Sequence, residues 1–158
     1  MKIVGLETND GVRIGVIDQD MVVDVRAVDA SVPTDLGEWL RLSNGNLKPF
    51  ADIARNAPGS ARRPLNSITY GLPVARPGKI VCLGLNYLDH VKEGPQRDNI
   101  PKFQSIFFRM PTSLTPHLHP LMRPMKSIQL DYEGEMVVVI GKRAKHLTME
   151  NALDCVAG

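Results

Sequence analysis

Leu130–Gly141 reads L-D-Y-E-G-E-M-V-V-V-I-G, and this stretch decides most about the chain. Met136–Ile140 is an apolar, largely β-branched run, the composition of a buried strand. Side chains of an extended strand alternate faces, so residues i and i+2 project together. The spacing therefore sets Glu133 and Glu135 on one face, with Gly134 leaving the other face bare. Two bare carboxylates that close repel each other, and one tends to hold its proton. A hard divalent ion removes the conflict, and Mg²⁺ commonly keeps several waters beside one or two carboxylates. Asp131 continues the alternation as a third member or a hydrogen-bonded neighbour. The plain alternative is an acidic strand end facing solvent.

Outward from this run, the composition is that of an ordinary globular protein. The 158 residues allow one ordinary domain or two small ones. The net charge of +2 and 5% aromatic content give no basic, base-stacking surface for nucleic acid. No apolar run approaches the roughly 20 residues that span a bilayer. Glu7 and Asp10 interrupt the N-terminus before a signal-peptide core can form. Cys82 and Cys155 are expected to be reduced core thiols, and the protein to be cytoplasmic.

The N-terminal part reads as a strand meander followed by short helices. Ile3–Leu6, Val12–Ile17 and Met21–Val25 are the strands, with Asn9-Asp10-Gly11 and Asp18-Gln19-Asp20 between them. Thr34 is expected to cap a helix bearing Leu36, Trp39 and Leu40. Phe50, Ile53 and Ala54 mark a second helix, ending near Pro58-Gly59. A turn-rich, basic stretch then leads to a boundary, giving domains at 1–75 and 76–158.

The second part opens with the strand Lys79–Leu83, and Gly84-Leu85-Asn86 turns it into a helical segment holding Tyr87, His90 and Glu93. The i, i+3 spacing sets His90 beside Glu93. A carboxylate next to an imidazole fixes its tautomer and raises its basicity, as deprotonation of water requires. The plain alternative is a solvated surface histidine. Six of the 12 prolines lie between Pro95 and Pro124, so no long helix fits there. Ser105–Arg109 is the one strand expected within that stretch, and Pro111 ends the strand. Its basic residues Arg97, Lys102, Arg109, Arg123 and Lys126 face a single acid, Asp98, a tilt suited to a carboxylate ligand. His117 and His119 have ligand-like spacing, but a proline-bound loop gives no reason for them to converge. Thr148 is expected to cap a last helix, with Glu150 in its first turn and Ala152, Leu153 and Val156 on its apolar face.

Three blocks together resemble the fumarylacetoacetate hydrolase family. They are K-I-V-C-L-G-L-N-Y-x-D-H-x-x-E at 79–93, I-F-F-R-x-P-T-S-L at 106–114, and L-D-Y-E-G-E-M-V-V-V-I-G-K at 130–142, then A-L-D-C-V-A-G. The order and spacing of all three fit the family. The resemblance implies an α+β, predominantly β fold: a small N-terminal β-meander and helix domain, then part of a mixed β-roll. It implies a homodimer that hydrolyses carbon–carbon bonds of acylpyruvate- or fumarylpyruvate-type 1,3-diketo and oxo acids, as in the catabolism of aromatic compounds. Decarboxylation and isomerisation are related activities. The implied metal is Mg²⁺ or Mn²⁺, with Glu133 and Glu135 as two of three carboxylate ligands. The third is an aspartate expected beyond Gly158, so the chain reads as the first half to two-thirds of a family member. His90 and Glu93 match the family's water-activating dyad, and Arg109, where lysine is usual, with Tyr87 would contact the small anionic substrate. The competing reading is a catalytically incomplete portion that oligomerises or binds a carboxylate without turnover.

Overall fold

The computed structural model describes residues 1–95 and 99–158. Arg97 and Asp98 of the basic stretch lie outside the described residues. The chain divides into two units, one of Met1–Ala75 with Thr115–Gly158 and one of Arg76–Leu114.

In the first unit, the β-branched runs form the expected meander. Strands β1 (Lys2–Thr8), β2 (Gly11–Asp18) and β3 (Met21–Asp24) pair antiparallel, with Thr8 opposite Gly11 and Asp18 opposite Met21. Two residues make each turn, and each hairpin needs one left-handed residue at or beside it to reverse the chain. In the first it is Gly11, just after the turn, at φ +106°, and in the second the turn residue Gln19 at φ +55°. Two short strands, β4 (Arg62–Pro64) and β5 (Tyr70–Gly71), extend the sheet at its edges in the order β4-β3-β2-β1-β5. Neither is among the strands expected from the sequence. At β5 the backbones close tightly, since a Cβ on Gly5 would run into the Gly71 carbonyl.

Strand β3 ends one residue earlier than expected because Asp24 caps helix α1 (Val25–Val28), accepting from the N–H groups of Arg26 and Ala27. Asp24 is buried, and the Arg13 guanidinium at 3.0 Å supplies its counter-charge. Helix α2 (Leu36–Leu42) is capped by Asp35, not Thr34. One oxygen of Asp35 accepts from the N–H of Glu38 and the other from the N–H of Ala75, both at 3.0 Å. Helix α3 (Lys48–Asn56) starts with proline in its first turn, where no N–H is missed.

The core lies between β2, β3 and these helices. Ile14, Val16, Val23, Val25, Val32, Leu36, Leu40, Phe50 and Ala54 are buried together. Arg62 ties β4 to the end of α3, reaching the carboxylate of Asp18 at 2.7 Å and the carbonyl of Ala54 at 2.7 Å.

The expected strand Met136–Ile140 does not form. Only Ile140 makes a bridge, antiparallel to Val156, while Leu130–Val139 is irregular chain. Among the described residues no strand lies beside Met136–Val138 to exchange hydrogen bonds with it, and a lone strand gains nothing from being extended. Val139 and Ala157 pack against the core, and Gly141 fits against Gly45 beyond the end of α2. The expected last helix is also reduced, to a turn at 149–151 and a 3₁₀ segment, Ala152–Cys155. Asn151, not Thr148, takes its N-cap position, with no side-chain cap, and Thr148 contributes only its carbonyl, accepting from the Ala152 N–H at 3.0 Å. The chain must then extend at Val156 to meet Ile140.

The second unit holds a two-stranded antiparallel sheet, β6 (Ile80–Gly84) and β7 (Ser105–Arg109), and helix α4 (Leu88–Glu93). Leu85 takes φ +56° as the chain leaves β6. Cys82 is half-buried rather than buried, Cys155 is buried, and both are free thiols. No helix among the described residues is long and apolar enough to cross a membrane.

Candidate functional site

Helix α4 carries His90 and Glu93 one turn apart, and both side chains are exposed. The helix is anchored by Val91, which is buried, and stops where the Gly94 N–H reaches the Val91 carbonyl at 3.3 Å. Tyr87 stands at its N-cap position and is half-exposed. Lys92 is paired with Asp89 on the same helix at 3.2 Å.

Arg109 ends β7, exposed, with its guanidinium 5.5 Å from the centre of the Phe107 ring. Residues two apart on a strand share a face, which accounts for the stacking. Arg109 makes no ion pair among the described residues, so its donors remain available to an anion.

Glu133 and Glu135 lie on the irregular segment, both exposed, and a Cβ on Gly134 between them would meet nothing. A strand pleat therefore does not set their common direction, which corrects the geometric premise drawn from their spacing. Asp131 turns back on the backbone, accepting from the N–H of Tyr132 at 2.8 Å. No group of three or more His, Cys, Asp or Glu that could hold a metal is found among the described residues. The pair fits Mg²⁺ or Mn²⁺ in kind, as exposed hard oxygen donors, and supplies two of the ligands rather than a full set.

The candidate residues are thus divided between the units. Tyr87, His90, Glu93 and Arg109 belong to Arg76–Leu114, and Glu133 and Glu135 to the other.

His117 and His119 both reach the sheet edge, each against a different residue. His117 packs edge-on against Tyr70 with ring centres 4.8 Å apart, and His119 Nε2 lies 3.9 Å from Glu7 Oε1. Leu118, at φ +63°, turns outward between them. No local signal could have shown this, because β5 itself was not legible. Two carboxylates outside the candidate set are held below their usual range. The hydroxyl and the backbone N–H of Ser31 lower Asp29, and the Thr148 hydroxyl, then a backbone N–H, lower Glu150.

A family model described as fumarylacetoacetate hydrolase, C-terminal, matches residues 79–158. A fumarylacetoacetate hydrolase domain-containing protein 2 homolog from Dictyostelium discoideum is 32% identical over 92% of the chain and 47% of its own length. A human mitochondrial oxaloacetate tautomerase is 33% identical over 98% of the chain and 45% of its own length. The solved fumarylacetoacetate hydrolase of Exiguobacterium antarcticum superposes with a TM-score of 0.72 at 28% identity, covering 99% of this chain and 52% of that one. The chain spans about half the length of the curated relatives it matches.

Proposed function

This chain belongs to the fumarylacetoacetate hydrolase family, and on that premise we propose that it contributes to a divalent-metal-dependent hydrolase or lyase of 1,3-diketo or oxo acids. The observation that carries the reading is helix α4, which presents an exposed His90–Glu93 pair one turn apart within the family-matched residues. Glu133 and Glu135 are the proposed contribution to Mg²⁺ or Mn²⁺. The ion, when bound, polarises a carbonyl oxygen as a Lewis acid.

His90 takes a proton from water in this scheme, and Glu93 steadies the imidazolium that results. Hydroxide adds to one carbonyl, the carbon–carbon bond breaks, and its electron pair leaves as the enolate of the second fragment. His90 then returns the proton to that carbon. Enolisation of an oxo acid needs a base that takes the α-carbon proton and returns it to the enolate oxygen, a task His90 can also perform, so the tautomerase named among the relatives fits the same pair of residues. Arg109 and Tyr87 are assigned to the substrate anion. A homodimer in the cytoplasm belongs to this proposal, and light scattering and cell fractionation check it.

The test uses the whole protein that contains this chain. Glu133→Ala and Glu135→Ala are each expected to weaken Mn²⁺ binding, followed by electron paramagnetic resonance of the free ion, and to lower acylpyruvate or oxaloacetate turnover by at least about a hundredfold. His90→Ala is expected to lower turnover while Mn²⁺ affinity stays. Mn²⁺ binding and turnover unchanged in both glutamate variants would remove the ligand assignment. Carboxylate binding without any turnover would favour the non-enzymatic reading.

A further inference from the structure

The second unit holds a small pocket that none of the assigned residues occupies. Strand β6 ends at Gly84, which pairs with Ser105, the first residue of β7. The chain that leaves β6 and the chain that enters β7 therefore stand at the same end of the sheet. Leu85, in the left-handed region, bends the first of these aside. A non-glycine residue held there costs free energy that its surroundings must supply. The pocket between the two segments has a volume of about 150 Å³, and Leu85, Asn86, Lys102, Phe103 and Gln104 line it. Since water takes roughly 30 Å³ in the liquid, this is room for a carboxylate rather than for a whole aromatic acid.

The chemistry of the lining is that of an anion site. Lys102 is the one cation among the described lining residues and makes no ion pair among the described residues. Asn86 and Gln104 add amide donors, and Phe103 and Leu85 supply apolar walls. Arg109 stands at the far end of β7, opposite Ile80. About four strand steps, roughly 13 Å, separate it from Ser105, so Lys102 acts apart from it. The segment that forms one wall runs directly into α4 through Tyr87.

The geometry points to this pocket as a carboxylate anchor, with Lys102 selecting oxo acids that carry a second carboxylate over those with one. This rests on the oxo-acid reading above and adds a specificity residue to it. The probes are pyruvate and oxaloacetate, which differ by one carboxylate, titrated calorimetrically into the whole protein and into Lys102→Met and Lys102→Arg. One charge-assisted hydrogen bond is worth on the order of tenfold in affinity. The protein is expected to prefer oxaloacetate by at least that factor. Lys102→Met should lose the preference by weakening oxaloacetate alone, and Lys102→Arg should keep most of it. An unchanged preference in Lys102→Met, or equal weakening of both acids, overturns the anchor while leaving the oxo-acid reading in place. If the protein binds neither acid, the anchor and the oxo-acid reading fall together. Because Lys102 is exposed, both variants should keep the fold, which circular dichroism verifies.

Discussion

Strand β2 and the segment Met136–Ile140 are close in composition and opposite in fate. V-R-I-G-V-I at 12–17 and M-V-V-V-I at 136–140 are both short runs rich in β-branched residues. In the first, Ile14 and Val16 are 2% and 1% exposed; in the second, Met136 and Val137 are 80% and 76% exposed. β2 has a hydrogen-bonded strand on each side and α3 packed across it. The second run is tied at its last two residues, where Val139 exchanges hydrogen bonds with Ala157 and Gly158 and Ile140 bridges to Val156. Apolar, β-branched sequence states what a segment can become. A neighbouring strand and a covering layer decide whether it does.

The largest effect expected from this contrast is in side-chain truncation. Phe50→Ala empties a fully buried site under α3 and should cost about 3–5 kcal/mol. Val137→Ala removes a side chain that is already in water and should cost less than about 0.5 kcal/mol. Urea denaturation of each variant measures both. Similar losses would mean that Val137 is covered in solution, and the contrast would collapse.

A smaller effect separates two glycines. Gly5→Ala drives a methyl into the backbone at Gly71 and Leu72, and the sheet must open or shift. The cost is expected at about 1–3 kcal/mol, the range for overpacking. Gly134→Ala adds a methyl where nothing lies within 4 Å and should change stability by less than about 0.5 kcal/mol. Thermal melts of the pair sharpen the comparison. A large loss at Gly134 would show that the segment around Glu133 and Glu135 is packed.

What the sequence made legible follows the same division. Strands β1–β3 and helices α2–α4 were readable because turns and apolar spacing are local, and β7 was readable to the residue. Strands β4 and β5 were not, since Arg62–Pro64 and Tyr70–Gly71 become strands only by lying on the edges of a sheet made elsewhere. Asp35 displaced Thr34 as a cap because its second oxygen also serves Ala75, forty residues on. For the candidate site, the placement of His90 and Glu93 one turn apart on a helix was legible from spacing. The alternation of Glu133 and Glu135 was not, because it presumed a strand.

The smallest effect concerns how the poorly covered region is ordered at all. Around Thr148 the organising contacts are polar and local: the Thr148 N–H reaches the Asn151 side chain at 2.8 Å, and the Thr148 hydroxyl serves Glu150. That hydroxyl is the larger cause holding the Glu150 carboxyl below its usual range, with a backbone N–H second. Both bonds favour the charged form, so their contribution is present above the ordinary glutamate pKa and is lost as pH falls through the lowered one. Thr148→Val removes the hydroxyl and leaves the backbone donor. Glu150 should then titrate at a higher pH than in the parent chain, while remaining below an unbonded glutamate. Carboxyl ¹³C chemical shifts followed across an acid titration read this directly. Because Glu150 is exposed, global stability should hardly move. An unmoved Glu150 midpoint would mean that this region is not ordered by its polar bonds, and that its likeness to the well-packed sheet is greater than its exposure implies.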